Sequence, residues 1–181
     1  IGSIGTATTV PSCGGANFTT TAASTATTIP FGSIANPDAQ FYNLAQTHLI
    51  TTNATNGYVL TVNYNYPLNL GVGSTVPGVT IADTTCGAVA CTTSVPKAWT
   101  DYAGYNGFGY TVGNISGSDR ASDFTTNELY KPFSSSAVTV ATKSSQASAS
   151  QVSTCYRLSV DATQQTGYYS DKLTYIATPK F

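Results

Sequence analysis

Hydrolysis by an activated hydroxyl needs a base and a group that orients the base. The chain has one histidine, His48, in Gln46-Thr47-His48-Leu49-Ile50, with no nucleophile-elbow pattern beside it, so a structural or surface role suits it better. A glycosidase needs two carboxylates flanking the scissile bond. Glu128 is the one glutamate, and Asp38, Asp83, Asp101, Asp161 and Asp171 fall mostly in expected turns. Asp119, Asp123 and Glu128 form the one acidic cluster, which offers oxygen ligands but no EF-hand spacing, and the expectation is a solvated loop. A single histidine disfavours metal catalysis, and no Gly-rich strand-to-helix loop is present to cradle phosphates. The chain therefore reads as a non-enzyme, with no catalytic residue, metal or cofactor assigned.

Cysteine chemistry points elsewhere. Cys13, Cys86, Cys91 and Cys155 are even in number, and one histidine is too few to complete a zinc cluster with them, so disulfides are expected. Of three connectivities the favoured one joins Cys86 to Cys91 across a small loop and Cys13 to Cys155 across the chain. Disulfides require an oxidising compartment. A sequence that starts at Ile1 and contains no Met reads as one from which a leader has been removed. Asn17-Phe-Thr, Asn53-Ala-Thr and Asn114-Ile-Ser are acceptor patterns for N-glycosylation, meaningful if the chain is exported. The expected location is extracellular, at the cell surface.

Composition agrees. Charged residues make up 8% of the 181, against roughly 25% in ordinary soluble domains. The net charge of -1, with seven scattered Lys and Arg, leaves no basic stripe for phosphates, so no nucleic-acid partner is expected. No apolar run reaches the ~18 residues of a membrane-spanning helix. The length suits one domain, residues 13–181, preceded by an arm, residues 1–12.

Strand signals recur along the chain, separated by Gly, Pro, Asn and Asp. In residues 58–66, Tyr58, Leu60, Val62, Tyr64 and Tyr66 alternate with Val59, Thr61, Asn63 and Asn65. In residues 152–160, Val152, Thr154, Tyr156, Leu158 and Val160 face one way, and Cys155 faces away from the core. Cys13 is then expected to anchor the arm. Residues 168–178 are expected to close a C-terminal hairpin with 152–160. Further strands are expected at 17–22, 27–34, 44–52, 79–82, 108–112 and 136–142. Residues 143–150 read as a polar connection, and 66–107 as long loops. Tyr102, Tyr105, Phe108 and Tyr110 are either a sugar-stacking face or the buried rings of a hairpin. The fold class is all-β, an Ig-like antiparallel β-sandwich with an extended N-terminal arm.

The arm, Ile1-Gly-Ser-Ile-Gly-Thr-Ala-Thr-Thr-Val10, is small, uncharged and partly β-branched. Two readings compete. It pairs with an edge of its own domain or stays disordered, or it donates a strand through Ile1, Ile4, Thr6, Thr8 and Val10 to the next subunit. A strand edge poor in charge invites such pairing, and a head-to-tail contact that does not close on itself makes fibres.

The pattern Tyr156-x-Leu158-x-Val160, Gln164, Gly167, Tyr169, Leu173-x-Tyr175-x-Ala177-x-Pro179 resembles the terminal hairpin of secreted β-sandwich domains in bacterial surface proteins. Residues 51–62, Thr-Thr-Asn-Ala-Thr-Asn-Gly-Tyr-Val-Leu-Thr-Val, resemble an earlier strand pair of the same domains. This resemblance implies a surface location and an Ig-like sandwich. The layout of arm and sandwich is similar to that of donor-strand pilins and archaeal threads. The expected function is a structural subunit of an extracellular filament or pilus, with identical subunits as partners and surface glycans or other cells beyond them. The alternative is a secreted adhesin or carbohydrate-binding domain.

Overall fold

A period-two alternation puts one face of a strand against a core. Residues 58–64 show it cleanly: Tyr58, Leu60, Val62 and Tyr64 are buried, while Val59, Thr61 and Asn63 are only partly so. The computed structural model of the protein describes residues 1–14, 18–35, 40–71, 79–102, 105–124 and 128–181. Its strands are β1 (Gly2–Ser3), β2 (Tyr42–Thr52), β3 (Tyr58–Tyr64), β4 (Leu68–Leu70), β5 (Thr80–Ile81), β6 (Lys97–Ala98), β7 (Gly107–Ser116), β8 (Leu129–Tyr130), β9 (Val138–Lys143), β10 (Ala147–Ser159), β11 (Tyr169–Ser170) and β12 (Leu173–Pro179). The protein is all-β, with every named strand pair antiparallel.

The larger sheet has the order β1-β2-β10-β7 and the second the order β12-β3-β9. They face each other across one core, which holds Leu44 of β2, Leu60 and Val62 of β3, Tyr110 of β7, Val140 of β9 and Tyr156 of β10. Burying each such side chain contributes about 1.5–3 kcal/mol. A small three-stranded sheet, β11-β4-β5, and a two-stranded one, β6-β8, stand beside them.

β10 is the central strand. It pairs with β2 on one side, Leu158 opposite Tyr42, and with β7 on the other, Leu158 opposite Phe108. Cys155 faces away from the main core, as its position in the alternation implies, yet it is 0% exposed. Two covers close this outer face. Val10 at the end of the arm, with Cys13 and Phe18 just beyond it, packs over Ala45 and Cys155. Trp99 and Tyr130 cluster with the Cys86–Cys91 disulfide, and the Arg157 guanidinium is held between the Phe41 and Tyr130 rings with Nη1 donating to Trp99 O.

Both disulfides have the favoured pairing, with Cα separations of 6.0 Å for Cys13–Cys155 and 5.6 Å for Cys86–Cys91. Gly113 of β7 makes room for the first of them. A Cβ there would lie 2.5 Å from the Ser12 backbone, so only glycine lets the Pro11–Gly14 turn settle on the sheet.

Several sequence expectations need correction. The C-terminal strand does not pair with β10, because both edges of β10 are taken; β12 pairs with β3, Tyr175 opposite Val62, and β11 with β4. Residues 27–34 form no strand, and 18–22 contribute a single bridge, Thr19 to Thr9. The polar stretch 143–150 already enters β10 at Ala147, with a register shift before Ser150. The loop expected to be solvated contains Asp119 at 3% exposure. Tyr58 Oη, Ser150 Oγ and Lys143 Nζ all donate to its carboxylate, linking β3, β10 and β9. Burial by itself would raise its pKa, but those hydrogen bonds outweigh burial and hold it below the usual carboxylate range.

Candidate functional site

The core opens to solvent on one side. Between β12 and residues 26–34 lies a cleft of about 1240 Å³ whose walls include Phe108, Leu158, Val160, Leu173 and Tyr175. These are core side chains from both sheets or side chains packed against that core. β12 stands at the end of its sheet with β3 on one side and no neighbour on the other among the described residues. Its seven residues therefore carry unpaired backbone groups along one edge, and Ile176 is 49% exposed.

The arm lies against its own domain, which is the intramolecular arrangement of the two considered from sequence. Gly2 sits opposite Thr47 and Ser3 opposite Gln46 at the free edge of β2. Ile4 N–H donates to Ser24 Oγ at 2.9 Å and Ser24 N–H returns a bond to Ile4 O at 2.9 Å. Ala7 N–H donates to Thr20 O, and Thr20 N–H to Thr8 O. Side chains add little. Ile1 is 57% exposed at the mouth of the cleft, Thr6 and Thr8 are exposed, and Ile4 is half-buried. Val10 differs, being buried beside Cys13, and belongs to the anchor rather than to the surface-lying part.

His48 is buried, with Nε2 3.0 Å from Thr154 Oγ1 and its ring 4.4 Å from that of Tyr175. Burial, and then the positive charge of the chain's own N-terminal amine, lowers its pKa to about 4. It is neutral near pH 7. It stands beside a polar path between the sheets in which the Tyr156 hydroxyl meets both Gln46 Oε1 and the Tyr175 hydroxyl at 2.8 Å. The acidic residues do not converge on it: Asp119 is held by β3, β9 and β10, and Asp123 pairs with Lys131. Among the described residues no group of three or more His, Cys, Asp or Glu is placed to hold a metal ion.

The aromatic cluster separates. Phe108 and Tyr110 are core residues, Tyr105 packs against the Trp99 cluster, and Tyr102 is exposed, so the four share no sugar-stacking face. Of the acceptor asparagines, Asn53 is exposed after β2, whereas Asn114 lies in β7 with Oδ1 accepting from Arg120 N–H at 2.8 Å. Asn17 and Asp38 lie outside the described residues.

Asp171 lines the cleft, and Asp83 lies close enough to feel its charge. Tyr64 Oη donates to Asp83 Oδ2 at 2.5 Å, and Oδ1 is buried without a partner among the described residues. Burial raises the Asp83 pKa to about 6; the Tyr64 bond opposes this and the Asp171 charge adds to it. The folded chain thus holds this proton more tightly than the unfolded chain, so stability falls as pH rises through about 4 to 6 and stays lower above that. Asp83→Asn keeps an acceptor for Tyr64 and removes the ionisation. Urea unfolding should show it more stable by about 1–2 kcal/mol at pH 7 and unchanged at pH 4; an equal shift at both values would refute the assignment.

The cysteines are paired inside the fold, and no described helix is long and apolar enough to cross a membrane. Among the described residues the geometry offers an apolar cleft, an open strand edge and a surface-lying N-terminal segment. Comparison with known proteins finds no matching family model, no matching curated protein and no matching solved structure.

Proposed function

We propose that the protein is the structural subunit of an extracellular filament, an Ig-like sandwich that polymerises head to tail by passing residues 1–9 to the neighbouring subunit. The observation that carries this reading is the open apolar cleft beside the unpaired edge of β12, adjoining an arm held by backbone hydrogen bonds rather than by burial.

The donated strand lies along β12 with Ile1 and Ile4 turned into the cleft. The match is chemical and metric. The arm has no charged side chain, and the cleft walls are mostly apolar or amide. β12 spans about 24 Å at a strand's rise per residue and residues 1–9 about 30 Å, enough to cover the edge with a short crossing between bodies. On its own domain the arm buries little of Ile1. Exchange buries it, gaining on the order of 1.5–3 kcal/mol for such a side chain, and it replaces one set of backbone bonds by another. Contacts made to self in the monomer become contacts to a neighbour, the logic of domain swapping, and an open-ended swap propagates as a fibre. The Cys13–Cys155 bond fixes the point where the arm leaves the body, so tension on the donated strand is delivered to β10. Two disulfides and a surface poor in charge suit a protein that works outside the cell.

Negative-stain microscopy of the purified chain, beside a chain lacking residues 1–9, tests the reading. The full chain should form filaments, and the truncated one should remain a monomer with a cooperative melt. A full chain that stays monomeric at every concentration, or filaments that persist after truncation, would sink it.

A further inference from the structure

We infer that residues 26–34 are a resident plug of the cleft, which the incoming arm must displace, and that a subunit's own arm helps to pin this plug. The inference rests on the polymerisation reading above.

The plug is held in an unusual way. At its start the chain is well fixed: Ser24 Oγ donates to Ala45 O at 2.5 Å, Gln46 Nε2 to Thr25 O at 2.7 Å, and Thr28 N–H to Thr25 Oγ1 at 2.9 Å. Beyond that turn, residues 29–35 make no backbone hydrogen bond to any described residue. They are held by side chains. Ile29, Phe31 and Ile34 are half-buried against the main core, with the Phe31 ring edge-on to Phe108 at 5.7 Å between centroids.

This segment shields apolar surface but leaves the β12 edge unpaired. An arm supplies what it lacks, a row of backbone donors and acceptors together with apolar side chains, so the arm outcompetes it. Without a plug, the cleft would expose core side chains on every free subunit, an aggregation hazard in a chain with few charges.

The pinning follows from shared residues. Ser24 exchanges two hydrogen bonds with Ile4 of the arm, and Gln46, which holds Thr25, lies opposite Ser3. When a subunit gives its arm away, both supports at the plug's start are loosened. Donation at one end therefore eases acceptance at the other, which favours growth of existing filaments over new pairs.

The test titrates a fluorescent peptide of residues 1–9 into dilute full-length chain, its binding read by anisotropy. A bound state that requires a minor open form is weakened by that form's scarcity. Phe31→Ala with Ile34→Ala, and separately Ser24→Ala, should each tighten binding by roughly tenfold or more. In Phe31→Trp the emission should shift to the red as peptide binds, against the unchanged signal of the buried Trp99. Equal affinity for parent and variants, or no red shift on binding, overturns the plug while leaving polymerisation by the arm intact. Failure of the peptide to bind any form overturns both. Thermal melts identify a variant that does not fold, and in that case the Phe31→Trp shift alone decides.

Discussion

Replacing Cys13 and Cys155 together by Ser is expected to lower stability by about 5 kcal/mol, and replacing Cys86 and Cys91 by only about 2 kcal/mol. The difference is one of loop length. Cys13–Cys155 closes a sequence separation of 142 residues and Cys86–Cys91 one of 5, and the unfolded chain loses more freedom the longer the loop. The first bond also lies in a small core with Val10, Phe18 and Ala45, where two hydroxyls in place of sulfur add a packing loss. For a chain of this length, 5 kcal/mol corresponds to a fall in melting temperature of about 10–20 °C. Calorimetry of the two double variants checks the order as well as the size. Equal losses, or a greater loss for Cys86 and Cys91, would show that the arm is not anchored as described. The same bond should matter to the filament, since it ties the root of a donated arm directly to the central strand β10.

The second large effect is expected at Arg157, which is 7% exposed on the outer face of β10. Its Nε donates to Asn43 Oδ1 at 3.0 Å and its Nη1 to Trp99 O at 2.5 Å. Its guanidinium lies 4.2 Å from the Phe41 ring centroid and 4.4 Å from that of Tyr130. Burial lowers its pKa, while the Tyr130 and Glu128 charges pull the other way. Arg157→Ala should cost about 3–5 kcal/mol, because it opens a cavity among the Phe18, Phe41 and Tyr130 rings and strands two acceptors. Arg157→Lys should also be costly, since an ammonium reproduces neither the planar stacking nor the fork of donors. Arg157→Met should cost least, keeping volume and shedding a buried charge. Urea unfolding gives the ranking. An Arg157→Ala loss below about 1 kcal/mol would mean that the aromatic cage is not held by this side chain.

Arg157 also marks the limit of reading by period. Alternation assigned it and Cys155 to one face of β10 and Tyr156 and Leu158 to the other, and that assignment holds. The rest of what covers the outer face did not follow, because Trp99 and Tyr130 reach it from segments far away in sequence that alternation along β10 does not report. Asp119 is a similar case. Its neighbours in sequence are polar, and only the meeting of Tyr58, Lys143 and Ser150 from three strands takes it out of water. Residues 27–34 err in the opposite direction: Ile29, Phe31 and Ile34 look like a half-buried strand, and they do pack on the core, but residues 29–34 make no backbone hydrogen bond to any described residue.

The sequence by itself determined the all-β class and the inward faces of β3 and β10; it favoured one pairing of the cysteines, and the folded chain brings those partners together. Side-chain alternation and cysteine count are local properties, and they survive whatever the rest of the chain does. Only the tertiary structure decided that β12 joins β3, that its far edge has no partner among the described residues, and that the cleft beside it forms. An edge is open or closed according to which distant strand reaches it first, and that competition depends on long-range packing across the whole chain.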